Sequence, residues 1–318
     1  GVVMIIIEAT CINRTGRFSP TQLGLWSDKH IKGFSRIAGY CHEYDTRVLV
    51  QLHHAGLAAA GEVTSDPVAP SDFTGLSRSN REIKARALTP AEIAALQDEF
   101  VTAALRAKKA GLDGVELQGA HGYLISQFFS PIVNKREDDY GGSLVNRTRF
   151  ATEIIEKIRQ AAGPDFIISC RMGCDEPDTE SSIQIARVLE EAGVDILHIS
   201  RGMTDYLAGE ITDVPVPAHF HYNSVVWRGA QIKEKVKVPV ILVNGIRTPL
   251  DAGYLVERNY ADLVAVGRGL LVDPEWANKG QKYMQVIPCL RCKACSYHNT
   301  NSKCPQTKTV FKRRNIYY

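Results

Sequence analysis

Seven short apolar runs, each separated from the next by a segment with helical spacing, restrict this chain more than any other property of it. The runs are residues 2–7, 47–52, 114–117, 166–171, 195–200, 238–243 and 263–266. The first is unbroken by polar alternation, as in a parallel strand covered on both faces. Between the runs, apolar residues recur three and four apart, as at Ile31, Phe34, Ile37, Ala38 and Cys41. Strand–helix alternation of this kind predicts an α/β fold with a parallel sheet under helical cover. Two architectures satisfy it: a seven-stranded doubly wound sheet, or a (β/α)8 TIM barrel lacking its first strand.

Local signals agree with the alternation. Thr89-Pro90-Ala91-Glu92 is a capping box with proline at the first helical position, and Thr248-Pro249 and Asp273-Pro274 repeat the proline placement. Another helix is expected to begin near Asn146. Two insertions, 55–87 and 201–227, follow strands on the side where barrel enzymes build their sites. The chain of 318 residues suits one barrel of roughly 250 residues plus such insertions. Residues 1–282 are expected to form that domain, and 283–318 a Cys-rich appendix whose Lys308, Lys312, Arg313 and Arg314 form a solvated tail.

Composition narrows the partners. A net charge of +3 with 23% charged residues is near neutral and argues neither for nucleic acid nor for a membrane surface, and neither partner is expected. No apolar run approaches the ~20 residues that span a bilayer. The opening GVVMIIIEAT meets Glu8 too soon for a signal peptide, so a cytoplasmic location is expected. The remaining partners are a small-molecule substrate and, at most, further copies of the chain.

Polar residues gather at the strand ends. The stretch 113–150 runs from a strand into Gln118, His121 and Tyr123, then through a Gly- and Asp-rich loop. Gln118 and His121 are spaced to aim hydrogen bonds at one substrate oxygen, with Tyr123 within reach as an acid. The alternative is that Tyr123 packs and the other two satisfy each other. Gln51 offers a donor and an acceptor, which suits a planar imide such as a flavin pyrimidine edge, or else a polar rim. His53 and His54 are the sort of histidines that more often serve structure. Arg171 emerges into the same mouth, as an anion partner or a salt-bridged rim group. Asn244-Gly245 and Gly267-Arg268 end the last two strands, where barrels of this class hold phosphate. Of eight cysteines, Cys289, Cys292, Cys295 and Cys304 are crowded together, which points to metal before disulfides in a chain without a secretory signal.

These segments resemble the old yellow enzyme family of NADH:flavin oxidoreductases. The resemblance is carried by IIIEAT (5–10), VQLHHAG (50–56), VAPSD (68–72), GLDGVELQGAHGYLISQFFSP, DDYGGSLVNRTRF and VGRGLLVDPEWANK (266–279). It implies a TIM barrel binding FMN at its C-terminal mouth, reduced by NAD(P)H, and an ene-reductase activity on an activated C=C bond. By position it implies that Ala9, Gln51 and Arg171 lie along the isoalloxazine, with Gly267 and Arg268 on the phosphate. Gln118 and His121 would bind the activating carbonyl, and Tyr123 would donate the proton. Two other functions stay open: an oxidative dehydrogenase like trimethylamine dehydrogenase, and a non-catalytic flavin- or phosphate-binding remnant.

The chain departs from that pattern in three places. The family's opening strand has no counterpart, since Gly1 aligns just before the second strand. The family usually has histidine where Gln118 stands. Finally, the four cysteines, Cys289-x2-Cys292-x2-Cys295-x8-Cys304, resemble the 4Fe–4S motif of 2,4-dienoyl-CoA reductases, with a shorter last interval. Zinc is the alternative occupant.

Overall fold

The computed structural model describes residues 1–76, 82–203, 215–292, 295 and 304–306. The basic tail and much of the second insertion lie outside these residues. The strands are β1 (Met4–Cys11), β2 (Arg47–His53), β3 (Val68–Ala69), β4 (Phe73–Leu76), β5 (Glu82–Ala87), β6 (Gly114–Gly119), β7 (Ile167–Gly173), β8 (Ile196–Ser200), β9 (Val240–Leu242) and β10 (Leu263–Val264). Seven of them form one sheet in the order β1-β2-β6-β7-β8-β9-β10, every pair parallel. All seven expected runs are strands of this curled sheet. The first insertion folds back as a small sheet, β3-β5-β4, beside the mouth.

The helices are α1 (Ile31–His42), α2 (Pro90–Lys109), α3 (Leu124–Phe129), α4 (Leu144–Ala162), α5 (Thr179–Glu191), α6 (Ser224–Lys233), α7 (Pro249–Glu257), α8 (Arg268–Val272) and α9 (Trp276–Gln281). Their starts follow the cap chemistry of the sequence. Thr89 and Thr248 each form a reciprocal capping box, with Glu92 and Asp251. Ser143 caps α4, so that helix begins two residues before Asn146. The third proline signal behaves differently: Asp273-Pro274 lie in a turn, and α9 starts only at Trp276. Asp273 Oδ1 accepts from the Glu275 N–H at 3.2 Å, and Oδ2 is held by Lys279 at 2.5 Å and by the backbone N–H of Ile287 at 3.0 Å.

Alternation within the buried strands decides what lies on each side of the sheet. Val48, Val50 and Leu52 on β2, Val115 and Leu117 on β6, and Ile168, Cys170 and Met172 on β7 join the core shared with the helices. The intervening Gln51, Glu116, Arg171 and His198 line the inner cavity. Register stacks this polar set into layers, because Gln51 pairs with Glu116, Glu116 with Ser169, and Arg171 with both Gln118 and His198. An inner wall this polar is expensive unless every group finds a partner. No helix among the described residues is long and apolar enough to cross a membrane.

Candidate active site

The inner cavity, about 610 Å³, opens along the edge between β1 and β10. Ala9, Gln51, Arg171 and Gly267, four of the residues expected to hold a cofactor, all line it. Gln51 donates from Nε2 to Glu116 Oε1 at 2.6 Å, which leaves its amide oxygen as the atom offered to the cavity. Arg171 reaches Ser200 Oγ through Nη2 at 3.1 Å, while its buried Nε has no hydrogen-bond partner. The Ala9 carbonyl accepts from Gln22 Nε2 at 2.9 Å, and that bond fixes the chain where β1 bulges.

Glu116 organises this wall. It is fully buried and also accepts from His198 Nδ1 at 2.9 Å and Ser169 Oγ at 3.1 Å. Burial alone would push its carboxyl up. The His198 imidazole, by charge and hydrogen bond, the Arg171 charge and the Gln51 amide together hold it below the usual carboxylate range. His198 Nε2 has no partner although buried. Neither Glu116 nor His198 was singled out from sequence. The signal was there: a charged residue inside the apolar run GVELQ and an imidazole inside ILHIS are unfavourable unless paired.

The residues expected on the substrate side are adjacent. Gln118 Nε2 lies 3.2 Å from His121 Nδ1, and His121 Nε2 lies 2.8 Å from Ser200 Oγ, the same hydroxyl that Arg171 meets. A relay Gln118–His121–Ser200–Arg171 therefore joins the residues expected at the substrate to one expected at the cofactor. His121 adopts φ 63, in the left-handed region, and the turn brings Tyr123 to the start of α3. Gln118 Oε1 is buried without a partner. Tyr123 packs edge-on against the His53 ring at 4.3 Å and stacks near Phe18 at 6.1 Å. His53 is buried with neither ring nitrogen hydrogen-bonded. Burial first, then the neighbouring His54 and His121 charges, hold it well below the usual histidine range, so it is neutral. Sequence alone did not single out Phe18 or Ser200.

The two glycine turns end neighbouring parallel strands, β9 and β10. Asn244 and Gly245 adopt φ 104 and 77. At Gly267 a Cβ would meet nothing within 4 Å. The Gly267 turn therefore leaves backbone open to a ligand, while the Gly245 turn faces the side chains of Asn223 and Arg291. An FMN cofactor fits the chemistry present: an acceptor from Gln51, an unpartnered Arg171 Nε, and the open Gly267 turn with Arg268 beside it.

The cysteines differ. Among the described residues, no three His, Cys, Asp or Glu side chains are gathered closely enough to hold a metal. Cys289, Cys292, Cys295 and Cys304 form no disulfide, and residues 293–294 and 296–303 between them lie outside the described set.

Comparison with known proteins agrees with the fold. The chain is 41% identical over 306 residues to an NADH oxidase of Thermoanaerobacter brockii, covering 92% of this chain and 45% of that protein. It is 35% identical over 285 residues to an NADPH dehydrogenase of Bacillus cytotoxicus, covering 86% of this chain and 76% of the relative. The chain thus spans less than half the length of the first relative. Among solved structures, a 2-naphthoyl-CoA reductase in complex with 2-naphthoyl-CoA superposes with a TM-score of 0.82 at 25% identity, over 93% of this chain and 47% of that one. An old yellow enzyme homologue from Zymomonas mobilis superposes with a TM-score of 0.76 at 26% identity, over 91% of this chain and 81% of that one. With residues 1–286 matching its family pattern, the chain belongs to the NADH:flavin oxidoreductase / NADH oxidase family.

Proposed function

We propose that the chain is an FMN-dependent ene-reductase whose residues 1–282 form the flavin barrel and whose substrate is an alkene activated by a carbonyl or thioester. The observation that carries this reading is the relay from Gln118 through His121 and Ser200 to Arg171, which ties a carbonyl-binding pair to the wall of the cofactor cavity. Bound FMN would supply the hydride chemistry, taking hydride from NAD(P)H and passing it to the substrate β-carbon. The likeness to a 2-naphthoyl-CoA reductase supports a thioester as the activating group.

The chain's own residues then have separable tasks. Gln51 and Arg171 orient the cofactor ring, and Gly267 and Arg268 with Asn244 and Gly245 receive its phosphate. As placed, Gln118 turns its N–H toward His121 and leaves an acceptor oxygen outward. Half a turn of the amide, with the matching imidazole tautomer, would point the N–H outward as a donor to a carbonyl while every bond in the relay is kept. Tyr123 protonates the α-carbon as the hydride arrives at the β-carbon, and takes its proton back from solvent. Phe18 and His53 form an apolar, uncharged shelf for that ring.

The test separates the two half-reactions under anaerobic stopped flow. Tyr123→Phe is expected to leave flavin reduction by NAD(P)H unchanged and to slow reoxidation by an enone by ~10²–10⁴. Equal loss in both halves would remove Tyr123 from its role. A purified protein that takes up no FMN would remove the whole reading.

A further inference from the structure

We propose that Arg291, in the segment that follows the barrel, is a ligand of the flavin phosphate, reaching back over the Asn244–Gly245 turn. The inference rests on the FMN reading above and adds to it a residue outside the barrel strands and their turns.

Three anchors return the segment to the barrel mouth. The Ile287 N–H donates to Asp273 Oδ2 at 3.0 Å, the Cys289 carbonyl accepts from Arg247 Nε at 3.2 Å, and the Pro288 carbonyl accepts from Gln306 Nε2 at 3.1 Å. Arg247 belongs to the loop after β9, so the anchor at Cys289 sits beside the phosphate turn itself. Arg291, two residues further on, adopts φ 54, a left-handed conformation that is unfavourable for a residue with a side chain.

That backbone sets the guanidinium against Gly245. A Cβ added at Gly245 would lie 3.2 Å from Arg291 Nη1, 3.3 Å from its Cζ and 3.0 Å from Asn223 Nδ2. A side chain at position 245 would therefore crowd this guanidinium, and the φ of 77 favours glycine there. Asn223 Nδ2 is engaged with the Asn244 carbonyl at 3.0 Å. Arg291 has no hydrogen bond or ion pair to a described residue. A guanidinium carries five donors and no acceptor, and its planar fork matches a phosphate bidentately. Placed over a glycine turn next to the Gly267–Arg268 turn, it has the chemistry to bind a dianion arriving there. The geometry also links cofactor retention to the Cys-rich segment: binding the phosphate would hold that segment down.

The experiment compares FMN with riboflavin, which has the same ring without the phosphate, by titrating the full-length apoprotein and following flavin fluorescence. Wild type is expected to bind FMN more tightly than riboflavin. Arg291→Ala is expected to weaken FMN by about 10-fold or more and to leave riboflavin within about twofold, so that the discrimination falls. Arg291→Lys, which keeps the charge and loses the fork, should fall between. Discrimination that survives intact in Arg291→Ala, or a variant that binds neither flavin, would overturn the assignment of Arg291 alone. A wild type that binds both flavins equally would overturn the phosphate subsite, and Arg291 with it.

Discussion

Two glutamates, one on β6 and one just beyond the end of β7, are both wholly shielded from solvent, yet their surroundings drive them to opposite ionisation states. Glu116, inside the barrel, accepts from Gln51, Ser169 and His198, and is held below the ordinary carboxylate range. Glu176, beyond the end of β7, accepts from Ser126 Oγ at 2.7 Å and lies beside Asp175, and its Oε1 has no partner. Burial, reinforced by the Asp175 charge and only partly offset by Ser126, pushes it up from 4.5 to about 8. Burial is the first cause in both cases, so burial cannot explain the difference. The number and charge of the donors decide it. The barrel interior was built around an ionised carboxylate, and the pocket under α3 around a protonated one.

Breaking the first of these environments has the largest expected effect. Glu116→Ala would strand the Gln51 amide, the His198 imidazole and the Ser169 hydroxyl without their acceptor. Removing one partner of a buried charged network costs about 3–5 kcal/mol. Chemical denaturation should show a loss of that order, together with weaker flavin binding as Gln51 loses its orientation. Glu116→Gln keeps the shape and an acceptor oxygen, and should recover part of both. A Glu116→Ala protein as stable as wild type would mean that Glu116 is not the organiser of this wall.

The second environment makes a pH prediction with a definite sign. The folded protein holds a proton on Glu176 that the unfolded chain releases near 4.5, so this contribution to stability is fully present below about pH 4.5 and is lost as pH rises to about 8. The slope is roughly 1.4 kcal/mol per pH unit within that window. Glu176→Gln cannot ionise, so its urea midpoint should decline less than that of wild type between pH 6 and 8, a difference of about 2–3 kcal/mol. Parallel curves would place Glu176 in contact with water or with a cation. Glu116 has the reverse sign: its contribution is present above the unfolded pKa and is lost as pH falls through its lowered folded value.

The contrast also marks what the sequence could and could not convey. Apolar runs and helical spacing located all seven strands, because strand burial is a one-dimensional pattern. Cap residues placed α2 and α7 for the same reason. Gln51, Gln118, His121 and Arg171 were legible as polar groups at strand ends. Their connection through Ser200 was not, since it depends on register between strands far apart in sequence. Glu176 sits in GCDEPDTE, where acidic residues read as a solvated loop, and only tertiary packing under α3 buries it. The Asp273-Pro274 signal put the helix start early: Asp273 Oδ1 does accept from the Glu275 N–H, yet α9 begins only at Trp276, while Lys279 and Ile287 tie down Oδ2 through contacts that local spacing cannot reveal.

The smallest expected effect tests the contrast most sharply. Ser126, on the helix that begins just after Tyr123, gives Glu176 its side-chain hydrogen bond, and that bond lowers the carboxyl's pKa against the pull of burial. Ser126→Ala should therefore cost about 1 kcal/mol, the typical net worth of one such bond. It should also raise the pH at which Glu176 ionises, so that the decline in stability continues to a higher pH than in wild type. If donors set the ionisation state of these glutamates, removing one must move Glu176 further from Glu116. A Ser126→Ala protein whose decline ends at a lower pH than wild type would show that water enters where the hydroxyl was, and that burial, after all, controls the difference.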